Sequence, residues 1–98
     1  MNLLKFYING EWVDPIKPDV IDVINPASEK SIGNVSVGSK ADIDKAVKAA
    51  QNAFPNFSKT LVSERVELLT EIRNIYKKRF DDIASAIQTE MGAPINLA

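Results

Sequence analysis

Apolar positions come in short extended runs as far as Val37, and after Gly38 their spacing lengthens to a helical period. Lys5-Phe6-Tyr7-Ile8 and Glu11-Trp12-Val13 flank Asn9-Gly10, a dipeptide suited to a two-residue hairpin because both central positions of a type I′ turn need positive φ. Pro15 and Pro18 cannot donate to a ladder and interrupt it, and a new extended run starts at Asp19 and ends at Ile24. Asn25 stays extended because Pro26 follows it. After the polar turn Ala27-Ser28-Glu29-Lys30, Ser31 to Val37 reads as a strand with Val35 and Val37 on one face. The expectation is two consecutive hairpins over residues 5–37.

Residues 39–92 are predicted to hold about three amphipathic helices. Ile43, Ala46, Val47, Ala50, Ala53 and Phe54 form one stripe, Ser39 and Asp42 have the spacing of a capping box, and Asp44 precedes Lys48 by one turn. Pro55 is expected to end this helix. A second helix from Ser63 turns Val66, Leu69, Ile72, Tyr76 and Phe80 inward, leaves Glu64, Glu67, Glu71 and Lys78 in water, and breaks near Asp81. A third, Asp82 to Met91, buries Ile83, Ala84 and Ile87 and stops at Gly92, with Pro94 beyond. These elements have no central sheet to cover. Two-stranded ribbons are weak alone and ordering the backbone costs about 1–2 kcal/mol per residue, so the segment is expected to lean on a larger layer. Taken alone, it should be oligomeric or loosely packed.

Composition narrows the chemistry. The chain has no Cys and no His, which removes disulfides, zinc sites of the usual ligands, a Cys nucleophile and a Ser/His dyad. A net charge of −1 gives no broad field for phosphate backbones or anionic lipid, and the first apolar stretch, Phe6-Tyr7-Ile8, is too short for a signal peptide or a membrane span. The expected location is cytoplasmic, with neither nucleic acid nor membrane as a partner.

Six segments in order resemble the aldehyde dehydrogenase superfamily. Tyr7-Ile8-Asn9-Gly10-Glu11-Trp12 is similar to its N-terminal hairpin, Asn25-Pro26-Ala27-Ser28 to its Asn-Pro-Ala-Ser/Thr turn, and Ile32-Gly33 with Val35 to the following strand. Asp42-Ile43-Asp44 with Ala46-Val47, Ala49-Ala50 and Ala53-Phe54 resembles the first helix, Arg65 with Leu68-Leu69 the second, and Glu90-Met91-Gly92-Ala93-Pro94 the turn ending the third. Two positions depart from the pattern: Ala93 stands where most members have Lys, and Phe57 where many have Trp. The resemblance covers nearly the whole chain but only the opening part of a family member. It implies an α/β class, with residues 1–98 as the N-terminal segment of the NAD(P)-binding domain and its central sheet absent.

The same resemblance implies oxidation of an aldehyde to a carboxylic acid with NAD or NADP, through a cysteine thiolate and a glutamate-activated water. It implies no catalytic residue and no cofactor-binding residue in this segment, since the thiol is missing and Gly10, Gly33, Gly38 and Gly92 are too scattered to cradle a pyrophosphate. The 98 residues alone are expected to be inactive. The partners implied are the remainder of the dehydrogenase chain, a small aldehyde in the parent enzyme, and further copies in a homo-oligomer. One site is carried over: a monovalent cation held by the backbone carbonyls of Val23 and Ile24 and by Glu90, whose carboxylate near a helix C-terminus opposes the macrodipole. The alternative reading is a free-standing, non-catalytic interaction module that uses exposed apolar helix faces. Arg73, Lys77, Lys78 and Arg79 complement a helix dipole better than they suit nucleic acid, and Tyr7 with Trp12 suits a cross-strand pair.

Overall fold

The computed structural model describes residues 2–98, and Met1, the first residue of the expected 1–98 segment, lies outside them. The elements are β1 (Asn2–Leu3), β2 (Phe6–Ile8), β3 (Glu11–Val13), β4 (Val20–Asn25), β5 (Lys30–Ser36), α1 (Lys40–Phe57), α2 (Val62–Lys78) and α3 (Phe80–Met91). They gather into two compact units. One contains Lys30–Ser58 and the chain up to Ile24; the other contains Asn25–Glu29 and Lys59–Ala98.

In the first unit β2 and β3 form the expected hairpin, pairing Phe6 with Val13, Tyr7 with Trp12 and Ile8 with Glu11. Asn9 and Gly10 take φ of 55° and 80°, the positive values that the two-residue turn requires. The Tyr7 and Trp12 rings meet at 5.1 Å with a 58° tilt, as a cross-strand aromatic pair does. The second hairpin is part of something larger than the sequence suggested. β4 and β5 are neighbours in a three-stranded sheet of order β1-β5-β4, with Asn2 opposite Asn34 and Leu3 opposite Val35 in parallel register. A two-residue strand leaves no periodicity to read, so β1 is visible only through its partner. Ser36 Oγ donates to the Leu4 carbonyl at 2.6 Å, and the Val37 N–H donates to the Asp19 carbonyl at 2.9 Å.

Helix α1 begins as predicted, with Ser39 at the N-cap, but it runs past Pro55 to Phe57. A proline in the last turn removes one N–H, and the turn closes around it: Ser58 N–H donates to Phe54 and Ser58 Oγ to the Pro55 carbonyl, at 2.8 and 3.0 Å. Asp44 pairs backwards with Lys40 at 2.6 Å, not forwards with Lys48. The apolar stripe is also divided. Ala46 and Ala49 are half-buried on the side of α1 that meets β2, whereas Ile43, Val47 and Phe54 remain exposed. Alanines let the helix approach the strand closely, and Ile8 of β2 is the buried apolar residue there, at 9% exposure.

In the second unit α2 starts one residue before the predicted Ser63. Its N-cap, Leu61, has no side-chain acceptor, but Glu64 reaches back to the Leu61 N–H at 2.7 Å, so half of a capping box is present. Arg65 Nη1 donates to the Thr60 carbonyl at 2.7 Å and fixes the entry to the helix. The break falls at Arg79 (φ −106°, ψ 19°), earlier than the predicted Asp81, because its N–H is shared between the Ile75 and Tyr76 carbonyls. Phe80 therefore opens α3, and it meets Tyr76 edge-on at 6.2 Å. The predicted inward face of α2 is not buried: Val66 is 56% exposed and Leu69 64%. On α3, Ala84 is buried, as read from the sequence, and Ile83 and Ile87 are half-buried. Gly92 ends α3 at φ 72°, its N–H donating to the Gln88 carbonyl at 3.0 Å.

Candidate functional site

Two constellations in the structure place polar groups with precision. The first is the start of α1. Asp42 is the buried charged residue of the described chain, at 4% exposure. Its Oδ1 accepts the Ile16 N–H at 3.0 Å, and its Oδ2 accepts both the Ser39 N–H at 3.0 Å and the Ser39 hydroxyl at 2.9 Å. The Ile16 N–H, then that of Ser39, hold the Asp42 carboxyl below the ordinary carboxylate value, against the opposing effect of burial and with help from Lys45. The sequence predicts the Ser39 half of this arrangement, because a capping box is local. Ile16 is 26 residues away, and no spacing rule could find it. Asp42 is thus a structural clasp that binds the loop after β3 to a helix N-terminus.

The second constellation joins two of the motifs singled out above. In the turn after β4 the Asn25 side chain accepts the Ala27 N–H at 2.9 Å, the Asn25 carbonyl accepts the Glu29 N–H at 2.8 Å, and Glu29 takes φ of 57°. This turn lies against the end of α3. A Cβ built on Gly92 would stand 2.8 Å from Cγ of Pro26. Glycine is required there twice over, for its positive φ and for the proline ring beside it. Asn25, Ala27, Gln88, Thr89, Gly92 and Pro94 line the resulting hollow of about 350 Å³.

The residues proposed for a cation fall as follows. Val23 and Ile24 lie on β4 in the first unit, Val23 half-buried and Ile24 exposed, and Glu90 is an exposed residue in the last turn of α3 in the second. Among the described residues no three or more acidic, His or Cys side chains gather as a metal cluster, so a cation here would depend on backbone oxygen. Lys77 and Lys78 lie in the last turn of α2, as cations near a helix C-terminus do, Arg73 lies before that turn, and Arg79, the cap, pairs with Asp82 of α3 at 3.4 Å. Among the described residues no helix is long and apolar enough to cross a membrane.

Each constellation ties together segments distant in sequence, the loop at Ile16 to the start of α1 in one and the Asn25-Pro26 turn to the end of α3 in the other. The profile of the Aldehyde dehydrogenase family matches residues 12–98. A candidate aldehyde dehydrogenase of Staphylococcus aureus (strain bovine RF122 / ET3-1) is 53% identical over 94 residues, which are 96% of this chain and 20% of that protein. The crystal structure of an aldehyde dehydrogenase from Bartonella henselae superposes with a TM-score of 0.96 at 44% identity, covering 99% of this chain and 20% of the other. Aldehyde dehydrogenase C from Pseudomonas syringae, a mutant crystallised with NAD+ and octanal, gives 0.90 at 43% identity over 93% of this chain and 19% of that one. The chain thus spans about a fifth of the length of the relatives it matches, their N-terminal portion. With its hairpins, capping box and Gly92 turn in place, the chain belongs to the aldehyde dehydrogenase family.

Proposed function

We propose that these 98 residues serve as the N-terminal scaffold of the cofactor-binding domain of an NAD(P)-dependent aldehyde dehydrogenase, which oxidises an aldehyde to a carboxylic acid in the cytoplasm as a homo-oligomer. The observation that carries this reading is the superposition of 99% of the chain on one fifth of a solved aldehyde dehydrogenase. NAD is favoured over NADP by the NAD+ bound in the Pseudomonas syringae relative. In this reading the segment supplies no reacting atom. The thiolate that attacks the aldehyde and the carboxylate that activates water both come from the rest of the enzyme, since there is no cysteine here. What the segment's own residues do is hold shape. Asp42 fixes the loop at Ile16 to α1, and Gly92 lets the Asn25-Pro26 turn seat against the end of α3.

The exposed apolar stripe of α2 is then the face that the rest of the enzyme covers, and residues 5–37 and 39–92 act as hairpin and helix layers of that domain. Val23 and Ile24 carbonyls with the Glu90 carboxylate would hold a monovalent cation in the whole enzyme. A cation there would offset the unfavourable position of Glu90 at a helix C-terminus. Purified alone, the chain is expected to reduce no NAD+ or NADP+ with any aldehyde, whereas a longer protein that contains it turns over. Aldehyde-dependent NADH formation by the pure 98 residues would overturn the scaffold role. Replacing Na+ and K+ by a bulky organic cation should lower the melting temperature of the longer enzyme and leave its Glu90→Gln variant unmoved; equal response of both would remove the cation.

A further inference from the structure

We propose that Asn9-Gly10 is a self-modification site, where the Asn9 carboxamide is converted to an isoaspartyl or aspartyl residue whenever the β2–β3 hairpin opens. Of the eight asparagines in the chain, Asn9 is the one followed by glycine; the others precede Leu, Pro, Val, Ala, Phe or Ile. Reaction requires the nitrogen of the next residue to reach the side-chain carbonyl carbon, and a side chain on that residue obstructs the approach. Gly10 has none, and nothing stands within 4 Å of where its Cβ would be. Both residues are exposed, and the Asn9 carboxamide makes no hydrogen bond among the described residues that would hold it away.

The step balances without any added reagent but water. The Gly10 amide nitrogen gives up its proton and bonds to Cγ of Asn9; the Cγ–N bond breaks and the side-chain nitrogen leaves as ammonia. Water then opens the five-membered imide at either carbonyl, which leaves a carboxylate on the aspartyl or isoaspartyl product. In the closed hairpin Asn9 shares a small hollow of about 170 Å³ with Lys45 and Lys48 on α1. The closed turn opposes the reaction, because attack requires rotation about the Asn9 backbone that the paired Ile8 and Glu11 do not allow. A ribbon of two three-residue strands opens readily, and that opening sets the rate. The isoaspartyl product adds a backbone atom to a two-residue turn, so the Tyr7 to Trp12 register cannot reform. The hairpin thereby records the age of the chain.

The test is incubation of the purified chain at mildly alkaline pH, followed by trypsin and mass spectrometry. The peptide Phe6–Lys30 contains one further asparagine, Asn25, and the Pro26 nitrogen after it carries no hydrogen and cannot react this way. Expected results are an amide-to-acid mass gain in that peptide, methylation of the product by an isoaspartyl methyltransferase, and loss of both in Asn9→Gln. Trp12→Ala, which removes the ring pair that holds the hairpin shut, should react severalfold faster. An intact Asn9 under conditions that fully convert a free peptide of residues 5–13 would overturn the site. An unchanged or slower rate in Trp12→Ala would overturn the gating by hairpin opening.

Discussion

The start of α1 and the middle of α2 show opposite ways of making a helix. At Asp42 a buried carboxylate closes three hydrogen bonds, one of them to a loop 26 residues away, so the helix is anchored at its first turn by tertiary structure. In α2 the polar support is local, a half-complete cap at Leu61 and Glu64 and the Arg65 bond to the Thr60 carbonyl, and the apolar side chain of Leu69 is 64% exposed. The difference separates what a segment can supply from what it must be given. Polar clasps are complete within these residues, whereas apolar burial is not: among the described residues Ile8 and Ala84 are the buried apolar side chains, one in each unit. Isolated helices of this length are marginal in water, and most helical stability in proteins comes from packing one face.

The widest gap between the two regions should appear on truncating Leu69. In the 98-residue chain Leu69→Ala is expected to change the unfolding free energy by no more than about 0.5 kcal/mol. In a longer enzyme that covers the α2 stripe it should cost about 2–5 kcal/mol, as for a buried leucine. Urea unfolding of both forms gives the comparison, and equal small effects would mean that the stripe is never covered. At the other pole, Gly92→Ala should destabilise the second unit by about 1–3 kcal/mol, since it must hold an alanine in the left-handed region and push the Pro26 ring aside. Circular dichroism melts would register the loss, and a melt unchanged from the parent would mean that the turn does not seat on α3.

Asp42 gives a pH signature. Its folded-state carboxyl titrates below the ordinary value of 3.8, so the stabilisation from ionised Asp42 is fully present above that value. It is lost as pH falls through the lower folded value. Asp42→Asn should lower the melting temperature at neutral pH and flatten the acid limb below about pH 4, because the amide can accept from Ile16 but turns an NH2 toward the Ser39 N–H. A variant with an undiminished acid limb would show that other carboxylates govern it. The smallest effect is expected at Lys40, whose pair with Asp44 is largely in solvent. Lys40→Ala should move stability by about 0.5 kcal/mol or less, and a larger loss would mark that ion pair as structural.

Local chemistry was legible in the sequence and long-range chemistry was not. Asn9-Gly10 specifies its turn, Ser39 and Asp42 their capping box, and Gly92 with Pro94 the end of α3, because each signal is complete within four residues. The pairing of β1 with β5, the Ile16 to Asp42 bond and the seat of Pro26 on Gly92 each join segments distant in sequence. Pro55 misled for a related reason: its effect depends on whether later carbonyls and hydroxyls complete the turn, and Ser58 does so. The apolar stripe of α2 was read correctly as a stripe and wrongly as buried, since periodicity tells which face is apolar and nothing about what lies opposite it.

Only one residue, Arg79, separates α2 from α3, and its N–H divides between two carbonyls of the outgoing helix. So short a junction leaves no slack to absorb a change in chain length. One extra residue placed just after it would turn α3 by about 100° about its own axis, carrying Ala84 off its buried position and setting the larger Ile83 in its place. Substitutions at this joint should be tolerated far more readily than insertions or deletions, so that length, more than residue identity, is the quantity it guards.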